Sequence, residues 1–313
     1  MAWLSRPAWR AAVMCLLFLL GAAAPARLGA VAVPASVSAL TVDTALPTDV
    51  DPAAEPPPAA GPLLLGEELK GKKAPLPAGP STAVPILLYH YIRVNPNPAD
   101  RVGFNLSIPP AMFRAQMQYL ADHGFHVLSL HQAVVAIAAH HPLPSRPVVL
   151  TFDDGYADFF TAAVPTLRAH GFTATDFVIS GRMGLFSFMT AAQVQAADQM
   201  GFTIGAHTVD HYALAALTPA RATWEMRQSK LALESLLGHP VIDFAYPYGS
   251  YNALAIAVAV RLGFETACST LSGTVHSAGQ LMVLSRVRIG GAMTLTTFAR
   301  LVGGPAPAPG IVS

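Results

Sequence analysis

The sequence predicts an α/β fold: a (β/α) barrel of about seven parallel strands, with its chemistry at the C-terminal strand ends. Three observations carry that expectation. Short apolar runs rich in β-branched residues alternate with helical patterns between about Pro85 and Leu301, the rhythm of parallel strands joined by crossover helices. Several helical patterns run into a glycine stop, at His123-Gly124, His170-Gly171, Met200-Gly201, Leu237-Gly238 and Leu262-Gly263, where a left-handed residue closes a helix. The residues able to do chemistry stand directly after predicted strands, on the face where a parallel barrel gathers its loops.

In chain order, strands are predicted at Pro85–Tyr89, His126–Ser129, Pro147–Phe152, Ala174–Ile179, Thr203–Ala206, Ile242–Tyr246, Glu265–Cys268 and Val283–Ile289. Helices are predicted at Pro110–His123, Leu130–Ala139, Tyr156–His170, Ala191–Met200, Pro219–Leu237, Ala253–Leu262 and Leu295–Leu301. Seven or eight such units favour a closed barrel over an open sheet.

The two ends of the 313-residue chain do not read as folded core. Arg6 and Arg10 precede the apolar run Ala11–Leu20, and Ala30-Val31-Ala32 offers a small-residue cleavage site, which together read as an export signal over residues 1–32. The apolar stretch is shorter than the ~20 residues a membrane helix prefers, so cleavage is favoured, with an N-terminal membrane tether as the alternative. Residues 33–82 are rich in Pro, Ala and Gly and read as a linker. The folded unit is expected over 83–302, with 303–313 a flexible tail. The export reading places the protein in the periplasm, the cell envelope or the medium. Only Cys268 remains after cleavage, as a small buried hydrophobe without a partner for an intrachain disulfide. Charged residues make up 12% and the net charge is +1, with no basic stripe to neutralise phosphates, so nucleic acid is not the expected partner.

Two segments carry the strongest chemical signal. Thr151-Phe152-Asp153-Asp154-Gly155 closes an apolar strand with adjacent carboxylates, which are costly to crowd without a cation. Alternate residues of a regular strand point to opposite faces, so Gly155 is expected to turn the backbone and let both converge. His207-Thr208-Val209-Asp210-His211 follows another strand. Its histidines at i and i+4 would lie one above the other on a helical turn and suit one metal ion. Two histidines and one carboxylate leave positions open for water and substrate, the mark of a catalytic metal site. Either segment alone also has a plain reading, as an Asp-Gly turn or as two unrelated histidines. Their joint placement at strand ends argues against both. Phe244-Ala245-Tyr246-Pro247-Tyr248-Gly249 ends a third strand. Its aromatic pair could form a sugar-stacking wall, with an ordinary strand exit as the plainer alternative. Asp176, a charge inside an apolar strand, has no account in the sequence beyond a supporting role near the site.

With these residues in view, the stretch from Val84 to Leu301 resembles the polysaccharide deacetylases of carbohydrate esterase family 4, the NodB-homology domain. The opening Pro85-Ile86-Leu87-Leu88-Tyr89-His90-Tyr91 is similar to the branch that acts on poly-N-acetylglucosamine. The resemblance implies a distorted barrel, a divalent metal ion and an amino-sugar polysaccharide substrate. It implies Asp154, His207 and His211 as metal ligands, Asp153 as general base, and the Tyr248 backbone N–H in the oxyanion hole. Zinc is the first choice for those ligands, with cobalt, nickel and manganese as alternatives. The sequence departs from the family pattern twice. No arginine stands before Tyr246-Pro247-Tyr248, and Leu284-Ser285-Arg286 takes the place of the family's Leu-x-His. Arg286 is a candidate for the missing arginine. His90, matching the first-strand histidine of the poly-N-acetylglucosamine branch, is implied as general acid. Two other readings remain: a catalytically inactive glycan-binding barrel, and a deacetylase acting on O-acetyl esters.

Overall fold

The computed structural model describes residues 79–308; the predicted signal, nearly all of the linker and the last five residues lie outside them. The elements are β1 (Thr82–Ala83), β2 (Ile86–Tyr89), α1 (Arg101–Leu106), α2 (Pro110–Asp122), β3 (His126–Leu128), α3 (Leu130–Ala138), β4 (Pro147–Asp154) and α4 (Val164–Ala169). They continue with β5 (Thr175–Val178), α5 (Ala191–Gln199), β6 (Thr203–Ala206), α6 (Pro219–Leu237), β7 (Asp243–Ala245), α7 (Ala253–Arg261), β8 (Thr266–Ser272), β9 (Val275–His276), β10 (Leu284–Arg288) and α8 (Leu295–Leu301).

Seven strands close a barrel in the order β2-β10-β8-β7-β6-β5-β4, with β4 returning to β2. Every pairing in that ring is parallel. β4 is long enough to serve three neighbours: β3 along Pro147–Val149, β2 along Val149–Phe152 and β5 along Thr151–Asp154. β3 is therefore an outrigger and not a member of the ring. β1 and β9 form a separate two-stranded antiparallel ladder.

The barrel interior is a packed plug of Ile86, Val149, Phe177, Ala245, Cys268 and Leu284, one residue from each of six strands. Gly205 on β6 makes room for it, since a Cβ there would stand 2.4 Å from the Phe177 ring. Cys268 is buried, as expected, and has no disulfide partner among the described residues. A second apolar layer packs the outer barrel face against the helices, with Tyr89, Phe113 and Phe152 stacked or edge-on to one another and Phe159 tilted against Phe152. The interior plug closes the barrel below its mouth, so chemistry is confined to the C-terminal rim.

The predicted Tyr156–His170 helix is corrected by the structure. After α-helical Ala157-Asp158 it passes through a π-helical turn, Phe159–Ala163, and becomes α-helical again over α4. Pro165 lacks an N–H and its ring crowds the carbonyl one turn back, which disturbs the regular ladder there. α1, capped by the Asp100 side chain on the Gly103 N–H, has no counterpart in the sequence reading. Its six residues, with Gly103 inside, are too short for a helical period to emerge.

Candidate active site

β4 delivers the two carboxylates. Asp153 lies opposite Phe177 and Asp154 opposite Val178 in the β4–β5 register. The turn expected at Gly155 starts one residue earlier, because Asp154 itself has φ +83° and Gly155 follows at +73°. A left-handed aspartate is uncommon and marks a constrained position. A Cβ on Gly155 would press within 3.2–3.3 Å of Val178, so the residue after the carboxylates must be small as well as left-handed.

β6 delivers the histidines. The helical turn expected for His207–His211 is not what forms: the segment is a bend, with Thr208 at φ +64° and His211 at φ +63°. The bend still brings His207 Nε2 within 3.2 Å of His211 Nε2. Asp154 Oδ1 lies 3.4 Å from His207 Nε2 and 3.2 Å from His211 Nε2. These three are the set of donor atoms, all within 4.8 Å of one another, that can hold a metal ion among the described residues.

The chemistry of the donors fits a cation. His207 Nδ1 lies 2.7 Å from the Ala245 carbonyl oxygen, which only accepts, so Nδ1 carries the hydrogen. In the neutral ring Nε2 then presents a lone pair toward Asp154. A carboxylate oxygen and an imidazole lone pair facing each other in a buried site call for positive charge between them. The electrostatics agree. Burial works against ionised Asp154, but His211 and His207 hold its carboxyl well below the ordinary range. Burial likewise disfavours charged His207, yet Asp154 foremost, with Asp153, raises its pKa.

Asp153 is treated differently. Arg286 on β10 binds it with both arms, Nη1 to Oδ1 and Nη2 to Oδ2, each at 2.7 Å. The arginine is itself fully buried, donating also to Thr151 Oγ1 at 3.1 Å and to the Ser269 carbonyl at 2.9 Å. Burial alone would push the Asp153 carboxyl up; the guanidinium outweighs it and holds the group below its usual value. Arg286 thus supplies, from the last barrel strand, the cation that the segment before Tyr246 lacks.

His90 follows β2 and is half-buried at the same rim, its Nδ1 without a hydrogen-bond partner among the described residues. Burial pushes its pKa down to about 4, against the pull of Asp154 and Asp153 and with the push of Arg288 and Arg286. Tyr248 sits in a 3-10 turn, Pro247–Gly249, at φ +59°. The residue is 49% exposed and its ring lies 4.5 Å from the His211 ring. The expected aromatic pair is not realised, because Tyr246 is fully buried and spends its hydroxyl on the Met282 carbonyl. Only Tyr248 faces outward.

The sequence reading missed Tyr91, Tyr156 and Phe188. Tyr156 follows Gly155 and stacks on Tyr91 at 3.6 Å and against Phe188 at 5.0 Å. The loop bearing Phe188 is tied to the turn after Asp154 by hydrogen bonds from Met189 N to Gly155 O and from Ala157 N to Ser187 O. Tyr156, directly after Asp-Asp-Gly, was the one signal available for this aromatic cluster.

Comparison with known proteins agrees with this geometry. Residues 140–267 match the family model described as polysaccharide deacetylase. The chain is 30% identical over 219 residues to YxkH of Bacillus subtilis (strain 168), which is named for the same activity, covering 70% of this chain and 76% of that protein. The Streptococcus pyogenes deacetylase PplD, solved in complex with acetate, superposes with a TM-score of 0.66 at 32% identity, covering 71% of this chain and 99% of that one. The poly-beta-1,6-N-acetyl-D-glucosamine N-deacetylase of Escherichia coli (strain K12) is 25% identical over 240 residues, but the match covers 63% of this chain and only 36% of that enzyme. The chain belongs to the polysaccharide deacetylase family.

Proposed function

We propose that this chain is an exported, metal-dependent hydrolase that removes N-acetyl groups from an N-acetylglucosamine-containing polysaccharide. The observation that carries the reading is a pair of adjacent carboxylates with divided roles. Asp154 faces two imidazoles, and Asp153 is held ionised by Arg286 beside them. A pure glycan binder has no need of such a base. The support for a pure binder in the sequence was the missing arginine and the missing Leu-x-His histidine, and Arg286 on Asp153 answers the first of these.

An amide is a poor electrophile with a poor leaving group. A divalent ion held by Asp154, His207 and His211, zinc by donor type, would polarise the acetyl carbonyl and acidify water. Asp153 takes the proton as the water oxygen bonds to the carbonyl carbon, and the Tyr248 N–H helps hold the oxyanion. The C–N bond then breaks, acetate leaves, and the sugar amine must gain a proton. A histidine with its pKa near 4 is neutral at pH 7, so His90 does not start as the acid. It stands after β2 at the same rim as Asp153, and in this reading it takes up a proton during turnover and passes it to the departing nitrogen. The half-exposed Tyr248 ring offers a sugar face one platform beside the site.

The substrate class rests on the activity named for the Escherichia coli relative and on the resemblance of the first strand to that branch. Export and the 83–302 boundaries rest on the N-terminal signal pattern and composition. Acetate release from chito-oligomers, poly-N-acetylglucosamine, peptidoglycan and acetyl-xylan tests the reading: release from an amide-linked polymer is expected. Release from acetyl-xylan alone would replace N- by O-deacetylation.

A further inference from the structure

The bend that brings His207 and His211 together contains two non-glycine residues in the left-handed region, Thr208 and His211. Such a backbone persists only where its surroundings hold it. One flank is held by the chain after β5, through Ser180 N to Thr208 O and Gly181 N to Val209 O, both at 3.1 Å. Gly181 is required there, since a Cβ would stand 2.6 Å from the Val209 oxygen. The other flank is held by α6. Glu225, fully buried, accepts the Val209 and Asp210 N–H groups on one oxygen, Oε2, each at 2.9 Å. Its other oxygen, Oε1, accepts from Arg221 Nε at 3.0 Å and Nη2 at 2.6 Å. Arg221 Nη2 also reaches Asp210 Oδ2 at 2.6 Å, joining the loop to the helix a second time.

We infer that Glu225, oriented by Arg221, is a positioning residue that latches the loop between the two histidines and sets the affinity of the metal site. Glu225 touches no ligand atom; it acts through the backbone of the two residues that precede His211. A carboxylate suits this place because it has two oxygens to divide between two sets of donors. A glutamine in the same position would turn an NH2 group toward either the loop N–H groups or the guanidinium. The pair is poorly explained as a source of stability, since a buried ion pair gains little over apolar side chains of similar volume. The loop geometry it specifies is the better account. The inference rests on Asp154, His207 and His211 binding metal, and both can be tested together.

The experiment measures Zn2+ affinity of the full chain by chelator competition, the melting temperature of the metal-free protein, and the visible spectrum of the Co2+-loaded form. The main variant is Arg221→Met with Glu225→Leu, which removes both charges at once. The control is Lys230→Met with Glu234→Gln on the same helix, where Glu234 instead accepts the Val241 N–H at 3.0 Å. The latch predicts a dissociation constant raised roughly 10–100-fold, the range for groups that orient metal ligands. It also predicts an altered cobalt spectrum and a melting temperature near native. The control should lose some thermal stability and keep its metal affinity. If the double variant does not fold, Glu225→Gln is expected to weaken zinc in the same direction. Native zinc affinity and cobalt spectrum in the folded latch variant would overturn the inference, as would an equal loss in the control. A native chain that bound no divalent ion would instead sink the metal reading and the latch with it.

Discussion

Asp153 and Asp176 are buried carboxylates on adjacent barrel strands, and the molecule resolves them in opposite ways. Asp153, 3% exposed, lies on β4 with a guanidinium bound to both oxygens. Asp176, 0% exposed on β5, has neither oxygen hydrogen-bonded among the described residues. The first is held below the ordinary carboxylate range by Arg286 in spite of burial. The second is raised well above it by burial, and by Asp153, Asp154 and Asp158 in that order. Burial alone makes a carboxyl an acid that keeps its proton. Burial with a paired cation makes it a base. Strand position is therefore not what makes Asp153 the candidate base; its partner is.

That comparison can be broken in order of effect. Asp153→Asn should lower turnover on an N-acetylated oligomer by at least roughly 10²–10⁴-fold, the span of general-base contributions. Metal content by elemental analysis should stay unchanged. Loss of the metal in that variant would make Asp153 a ligand and remove the contrast with Asp154.

Next, Arg286→Met should turn Asp153 into a second Asp176. The orphaned buried charge costs about 3–5 kcal/mol of stability. The acid limb of the kcat/KM profile should move to higher pH, because the carboxyl now releases its proton only there. An unmoved acid limb in a folded Arg286→Met protein would show that the arginine does not set the base.

His90→Ala should lower turnover by roughly 10²-fold, the lower end for a proton donor, without loss of metal. Turnover at the native rate would place the proton elsewhere.

The smallest effect belongs to Asp176→Asn. Asp176 binds its proton more tightly folded than unfolded, so its contribution is most favourable below the unfolded value near ~3.9 and is lost as pH rises. Replacing it by the neutral amide should therefore raise stability at pH 7 by about 1 kcal/mol, with the gain fading as pH falls below ~4. Turnover should change little. Thermal melts at the two pH values read the sign directly.

Much of this was legible in the sequence because it is local. Each predicted barrel strand lies within a few residues of its observed place, and the glycine stop at Gly238 is a left-handed cap at φ +79°. Asp153, Asp154, His207 and His211 could be found because each pair sits in one short segment after an apolar strand. What was hidden is what depends on distance along the chain. Arg286 meets Asp153 across 133 residues; the resemblance offered it as a candidate for the missing arginine, but no local pattern announces the pairing itself. The same holds for Glu225 on the loop that carries the histidines. The bend at Thr208 and His211 was read as helical because i,i+4 spacing is helical in the absence of other forces. Here the contacts with α6 and with Ser180-Gly181 override that default. Asp176 was visible as an anomaly, but whether a buried carboxylate has a partner is a question only the packed structure answers.

The most direct test of the central claim is acetate release from an N-acetylglucosamine oligomer, followed as divalent metal is stripped from the chain and then returned. The account predicts release by the metal-loaded protein, none after chelation, and recovery on adding back zinc or cobalt. Release that persists in metal-free protein would contradict it, as would a loaded protein that frees no acetate from any amide-linked polymer.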